Sequence, residues 1–293
     1  MQQPAADVHS ADDVATFKGL HFTPEALTAL EDTRGHTLSR VTLHVGAGTF
    51  KPVQGNDIAA HDMHTEIFEV DRSTIEGLHA SLLDGQPIVP VGTTTVRVLE
   101  SLYWIGVRTL LQSQRGQQGS PEARQLDEHA ENTELEPPQQ HLSLGQWEPM
   151  ELEREMLSRR ACDGGGGSGG GGGNRSRGDA ADASSAAAAA ASIPPAEALG
   201  ALLALHDGGT YRGSTSICIA PGYTFAMVDA LVTNFHQPGS TLLYLTAALL
   251  GGTDRLFDAY AHAVEEEYMF LSYGDACLIV NHQQRDGCAP TCA

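Results

Sequence analysis

The stretch Asp229–Gly252, "DALVTNFHQPGSTLLYLTAALLGG", decides the fold. It opens as an apolar, β-branched run that climbs to Asn234-Phe235-His236. Pro238-Gly239 breaks the chain, Ser240 and Thr241 supply capping hydroxyls, and an aliphatic run at helical spacing follows. Strand, turn and capped helix in that order make one unit of an α/β layer structure. The first turn of such a helix offers unpaired N–H groups and a partial positive charge, which suit an anion or a polarised oxygen. Against that stands a structural reading, in which Asn234 and His236 satisfy the turn and Ser240 or Thr241 only caps.

Two further junctions share this pattern. "VTLHVGAGTF" predicts a strand over Val41–Val45 carrying His44, then a turn where Gly46 and Gly48 let a backbone approach a ligand. The third glycine and downstream acid of a dinucleotide fold are missing, which excludes that fold. "PVGTTTVRVLES" predicts a short strand over "PIVPVG", Gly92, then a helix opening on Thr93, Thr94 and Thr95. Arg97 on its first turns is placed to grip a carboxylate or phosphate bidentately, or else is a solvated helix arginine.

"HDMHTE" sets His61, His64 and Glu66 close together. His-x-x-His is compatible with zinc, but the helical zinc-hydrolase pattern is absent, which favours acid–base use or plain hydrogen bonding. Cys277, His282, Cys288 and Cys292 could also make a four-ligand set, but their spacing fits no familiar zinc module. "SYGDA" places Asp275 in a turn, as a base, a sugar-hydroxyl acceptor, or a backbone-bonding turn residue.

The remaining elements frame these junctions. "TPEALTALEDTRG" reads as a helix with Thr23 as N-cap and Pro24 in its first turn. "STIEGLHASLLDG" is a second, residues 93–111 a third, and "DRLFDAYAHAVEEEYMF" a fourth, with Leu256, Tyr260 and Val264 facing inward. "YGDACLIV" closes as a strand. From Gln112 to about Gly209 the chain turns polar and breaker-rich, with poly-Gly and poly-Ala blocks that have nothing to bury, and "PPAEALGALLALHDGG" (194–209) reads as a short helix before order resumes.

The chain has 293 residues, with Lys+Arg 17 against Asp+Glu 37 and a net charge of −20. That charge opposes non-specific attraction to phosphates and anionic membranes, so a nucleic-acid partner needs a local basic pocket. Five scattered cysteines read as reduced thiols. The N-terminus has neither an apolar signal core nor an Arg-rich transit character, and Leu242–Leu250 is too short to span a bilayer, so no membrane partner is expected.

Six blocks, "GLHFTPEAL", "VTLHVGAGTFKPV", "HDMHTEIFEV", "VGTTTVRVLES", "APGYTFAMVDALVTNFHQPGSTLLYL" and "AHAVEEEYMFLSYGDA", together resemble consecutive blocks of the S-adenosylmethionine:tRNA ribosyltransferase-isomerase (QueA) family of queuosine biosynthesis. The resemblance covers about residues 19–101 and 214–280. It implies transfer and isomerisation of the ribosyl group of S-adenosylmethionine onto 7-aminomethyl-7-deazaguanine in tRNA, giving epoxyqueuosine. S-adenosylmethionine is then a consumed substrate, and the resemblance implies neither a metal nor a cofactor. In the matching blocks, His44, His64, Glu66, His236 and Asp275 are the catalytic candidates. Gly46, Gly48, Thr93, Thr94, Arg97, Asn234, Ser240 and Thr241 are the substrate-binding candidates.

The implied fold class is α/β: a partial QueA-like α/β main domain lacking the N-terminal portion and the small β-barrel domain. The expected organisation is a disordered N-terminus (1–18), a first family segment (19–111), a disordered low-complexity insertion (112–213), a second family segment (214–281) and a tail (282–293). Two readings follow. One is a working enzyme acting on tRNA, alone or completed by a complementary N-terminal polypeptide. The other is a truncated, catalytically incompetent remnant that at most binds ligand or protein. The expected location is cytoplasmic, or organellar if a transit peptide was lost with the N-terminus.

Overall fold

The computed structural model describes residues 22–33, 36–44, 61–118, 142–163, 193–205 and 208–284. Gly46, Gly48 and residues 1–18 lie outside them. The chain divides into two compact units, Met1–Leu38 and Ser39–Ala293. The first contains helix α1 (Pro24–Thr28), which runs on into a π-helical turn over Ala29–Thr33. Thr23 Oγ1 accepts from the Ala26 N–H at 3.1 Å, the N-cap its sequence predicts.

The second unit carries β1 (Thr42–His44), β2 (Glu66–Asp71), α2 (Arg72–Leu83), α3 (Thr93–Gln118), β3 (Leu142–Leu144) and α4 (Glu148–Asp163). Then follow α5 (Pro195–Ala204), β4 (Thr210–Thr215), β5 (Ala230–Asn234), α6 (Thr241–Leu250), α7 (Thr253–Glu265) and β6 (Ala276–Val280). A four-stranded mixed sheet has the order β1-β2-β4-β3, antiparallel except for the parallel β3–β4 pair. β5 and β6 form an antiparallel pair.

Helix α3 is the axis of the core. Val96, Val98, Leu99, Leu102, Tyr103, Ile105 and Val107 are all buried, so the helix is enclosed nearly all round over residues 96–107. A Cβ at Gly106 would run into the Ala198 carbonyl, which shows how closely α3 and α5 approach. Each fully buried aliphatic side chain here contributes about 1.5–3 kcal/mol. On β2, Phe68 and Val70 point inward as strand alternation requires, and Glu66 takes the same inward face.

Three expectations are corrected. The stretch 112–213 is not a single unstructured insertion: α3 continues to Gln118, β3 and α4 fall within it, and the short helix read over 194–209 forms as α5. Leu142, Leu144, Leu152, Met156, Leu199 and Leu202 are buried, so short apolar alternations between the low-complexity blocks were enough to bring these elements into the core. The strand expected over "PIVPVG" reduces to one parallel bridge, Val91 to Val232. Pro87 and Pro90 lack N–H donors, so the ladder is incomplete. Ile88 O accepts from Asp229 N and Pro90 O from Val232 N, both at 3.0 Å. Gly92 N donates to Val232 O at 2.8 Å, and Ile88 N turns to the Asp229 carboxylate at 2.6 Å.

Val264 does not face inward; it is 67% exposed, and Ala263 is buried instead. At about 100° per residue, position 263 falls about 20° from Leu256 around the helix, whereas position 264 falls about 80° away. The β5–turn–α6 unit forms as its sequence predicts. Ser240 Oγ accepts from Leu242 N at 3.2 Å, and left-handed Gly251 (φ 84°) ends α6, with Gly252 N reaching Ala247 O at 2.8 Å.

Candidate active site

Helix α3 leaves the Thr93–Thr95 start with Arg97, Ser101 and Glu100 turned into the protein. Arg97 is 3% exposed and Glu66 fully buried, and Arg97 Nη1 lies 2.8 Å from Glu66 Oε2. The other carboxylate oxygen, Oε1, lies 3.1 Å from His64 Nε2. His64 remains partly open, its side chain 21% exposed. Arg97 Nη2 also reaches the carbonyls of His64 and Thr215, each at 3.4 Å. Ser101 Oγ donates to the Arg97 carbonyl at 2.6 Å and lies 2.7 Å from Thr215 Oγ1. Thr215 Oγ1 in turn accepts from Ile217 N at 3.1 Å. Among the described residues Arg97 Nε has no hydrogen-bond partner.

The electrostatics of this group follow from burial. Desolvation lowers the Arg97 guanidinium, and the Glu66 carboxylate beside it works in the opposite direction, as does Cys218. The guanidinium fixes one oxygen of the Glu66 carboxyl, and the other oxygen holds His64 through Nε2, which orients the imidazole ring.

A second buried group adjoins it one turn along α3. Glu100, fully buried, accepts from the Tyr223 hydroxyl at 2.8 Å, Ala226 N at 3.1 Å and Met227 N at 2.9 Å. Tyr223 Oη itself accepts from Trp104 Nε1 at 2.7 Å. Burial pushes the Glu100 carboxyl up to about 7, against the three donors that pull it down. None of these residues was singled out from the sequence. The signal was present: Glu100, Ser101 and Trp104 lie in the stretch 96–107 of α3, whose other positions are nearly all apolar, so their polar groups had to find partners inside.

The junction after β5 forms a third group. His236 Nε2 lies 3.1 Å from Thr233 Oγ1, and His236 N donates to the Tyr260 hydroxyl at 2.9 Å. Burial lowers the His236 imidazole to about 4, so it is neutral near pH 7. Asn234 Nδ2 donates to the carbonyls of Gly274 and Asp275 at 3.4 and 3.3 Å. Asp275 Oδ2 accepts from Met269 N at 2.7 Å, the backbone-bonding role of a turn aspartate. A cleft of about 530 Å³ lined by Phe235, Tyr260, His262, Cys277 and Ile279 runs beside this junction.

Of the sequence-derived candidates, His64, Glu66 and Arg97 meet in one array. Asn234, His236 and Asp275 gather at the β5–α6 junction, where Ser240 caps α6 and Thr241 is buried behind it. Thr93 is buried and Thr94 half-buried at the start of α3. His44 stands apart. Its register opposite Ile67 puts it on the sheet face away from Glu66, exposed and 4.0 Å from Glu69 Oε1. Among the described residues no three His, Cys, Asp or Glu side chains converge as metal ligands. Burial pushes both Cys218 and Cys277 up to about 11, which leaves neither a ready thiolate near neutral pH.

Comparison with known proteins gives one consistent family. A family profile described as queuosine biosynthesis protein matches residues 9–123 and 187–279. This widens both stretches read from the sequence and narrows the unmatched interval to 124–186. The S-adenosylmethionine:tRNA ribosyltransferase-isomerase of Gluconacetobacter diazotrophicus is 33% identical over 274 residues, covering 92% of this chain and 48% of the relative. That of Nitratidesulfovibrio vulgaris (strain DP4) is 34% identical over 264 residues, covering 89% and 43%. The chain spans about half the length of the curated relatives it matches. A solved S-adenosylmethionine tRNA ribosyltransferase from Thermotoga maritima is 27% identical, covers 89% of this chain and 51% of its own, and has a TM-score of 0.44. Among the described residues no helix is long and apolar enough to cross a membrane.

Proposed function

The chain belongs to the queuosine biosynthesis protein family, and from that premise we propose that it serves the S-adenosylmethionine:tRNA ribosyltransferase-isomerase reaction. The substrates of this reading are S-adenosylmethionine, consumed rather than retained, and tRNA carrying 7-aminomethyl-7-deazaguanine. The product is epoxyqueuosine in the tRNA, with adenine and methionine released.

The observation that carries the reading is the His64–Glu66–Arg97 array, which lies wholly within the family-matched residues. The reaction needs a base to remove a proton beside the sulfonium and a donor for the departing adenine. His64, partly open and held by a buried carboxylate, is suited to that proton traffic. Glu66 and Arg97 act through it. Neutral His236 and the capped start of α6 are suited to hydrogen-bonding a polar substrate group, not to supplying charge.

The test is adenine release from S-adenosylmethionine by the purified chain with the modified tRNA, alongside tandem mass spectrometry for epoxyqueuosine. Product from wild type and its loss in His64→Ala support the reading. Wild-type turnover in His64→Ala removes His64 from it. A second reading is binding without turnover, in which neutral His236 and the capped start of α6 hold a polar group and no proton is moved. It predicts S-adenosylmethionine binding with no adenine released.

A further inference from the structure

Gln146 sits in the turn between β3 and α4, in the interval the family profile leaves unmatched. Its side-chain amide spans the backbone on either side of Asp62. Oε1 accepts from Met63 N at 3.0 Å, and Nε2 donates to the His61 carbonyl at 2.6 Å. Its own carbonyl accepts from Cys218 N at 3.3 Å. One residue thus ties the segment entering His64 to the segment leaving β4, and serves residues 61–63 as a neighbouring strand would.

The turn that presents this amide is itself rigidly held. β3 pairs in register with β4, with Leu142 and Leu144 buried. Gly145 N donates to Glu148 Oε2 at 2.9 Å, Glu148 Oε1 lies 2.7 Å from Arg108 Nη1, and that nitrogen also donates to the Ser143 carbonyl at 2.8 Å. Arg108 belongs to α3, the helix that carries Arg97. The same helix therefore fixes Glu66 directly, through Arg97, and the approach to His64 indirectly, through Arg108, the turn and Gln146. Met63 is buried, so loss of the amide would strand its N–H.

We infer that Gln146 is a positioning residue for His64, supplied by a segment outside the family-matched stretches. The inference rests on the reading of His64 as the acid–base group. It makes β3 and the turn after it part of the site's scaffold in this chain.

The test uses the full chain with ¹⁵N-labelled histidine, the His64 ring signal being assigned by its loss in His64→Asn. Gln146→Ala is expected to displace or split that signal, and to speed amide exchange over residues 61–66. Met156→Ala, on the buried face of α4, is expected to lower stability at least as much while leaving the His64 signal in place. An unmoved signal in Gln146→Ala, or an equal displacement in Met156→Ala, overturns the proposal. If Gln146→Ala does not fold, Gln146→Glu is measured the same way. It keeps the acceptor for Met63 N–H, removes the donor to His61, and is expected to give a smaller displacement of the same signal; an unmoved signal there is equally fatal. Where turnover is measurable, Gln146→Ala should lower kcat by about tenfold to a hundredfold with KM little changed. Failure of the acid–base reading appears separately, as full adenine release by His64→Ala with the ring-signal result intact.

Discussion

Arg97 Nη1 lies 2.8 Å from Glu66 Oε2, and both side chains are shut off from solvent. Such a pair is held in place by mutual need, because either partner alone is a buried, uncompensated charge. Arg97→Met should therefore cost about 3–5 kcal/mol of unfolding free energy. The double variant Arg97→Met/Glu66→Leu should recover most of it. Urea denaturation of the four chains measures the coupling, and a single-variant cost below about 1 kcal/mol would refute it.

Glu100 gives the stability a definite pH slope. Its carboxyl titrates near 7 in the folded chain, well above the ordinary value of 4.5, so the folded state holds a proton that the unfolded state has lost. Its contribution is therefore greatest below about pH 4.5 and is lost as pH rises toward 7, on the order of 3 kcal/mol in all. Glu100→Gln should flatten that part of the profile. Denaturation of both chains at pH 5 and pH 7.5 checks the difference, and parallel slopes would count against the assignment.

His236 runs the other way. With its folded titration near 4, it is neutral across the physiological range, and the unfolded chain takes up a proton first as pH falls. Stability from this group is present above about pH 6.5 and drains away as pH drops toward 4. Ring signals of His236 in a labelled chain should stay still from pH 8 down to about 5. Movement centred near 6.5 would mean that the imidazole is not buried as described.

Gly106 tests the packing of α3 on α5. A Cβ there meets the Ala198 carbonyl, which belongs to backbone and cannot swing aside. Gly106→Ala should lower stability by about 1–3 kcal/mol despite the better helix propensity of alanine. Thermal unfolding measures it. A stabilised variant would show that the two helices are free to separate.

How much of this was legible in the sequence depended on distance along the chain. The Ser240 cap, the Gly251 stop and the strand before them were readable because each is decided within a few residues. His64 and Glu66 were readable as a pair for the same reason. The partner of Arg97 was not, because Glu66 lies on a different element. Tyr223 and Met227 lie still farther from Glu100, and no local pattern announces a contact across that separation. β3 and α4 were missed because short apolar alternations such as "LSL" stand between long polar and glycine-rich blocks that dominate the local composition, whereas α5 was readable from the helical run after Pro194. Val264 was misread because i+4 spacing, applied twice, drifts off the face that a 3.6-residue turn defines.

The hydrogen bonds from α3 to the end of β4 and the chain beyond it close very long loops, 114 positions for Ser101 with Thr215 and 127 for Glu100 with Met227. The entropy of closing such a loop grows only with the logarithm of its length, so each doubling costs about 0.6 kcal/mol. Stability is thus nearly indifferent to how many residues accumulate between these anchors. Speed is not, since contacts this remote must be found before they reward the chain, and slow folders dominated by such contacts expose their apolar surfaces for longer. Lengthening this interval is a burden on the time course of folding far more than on the folded protein itself.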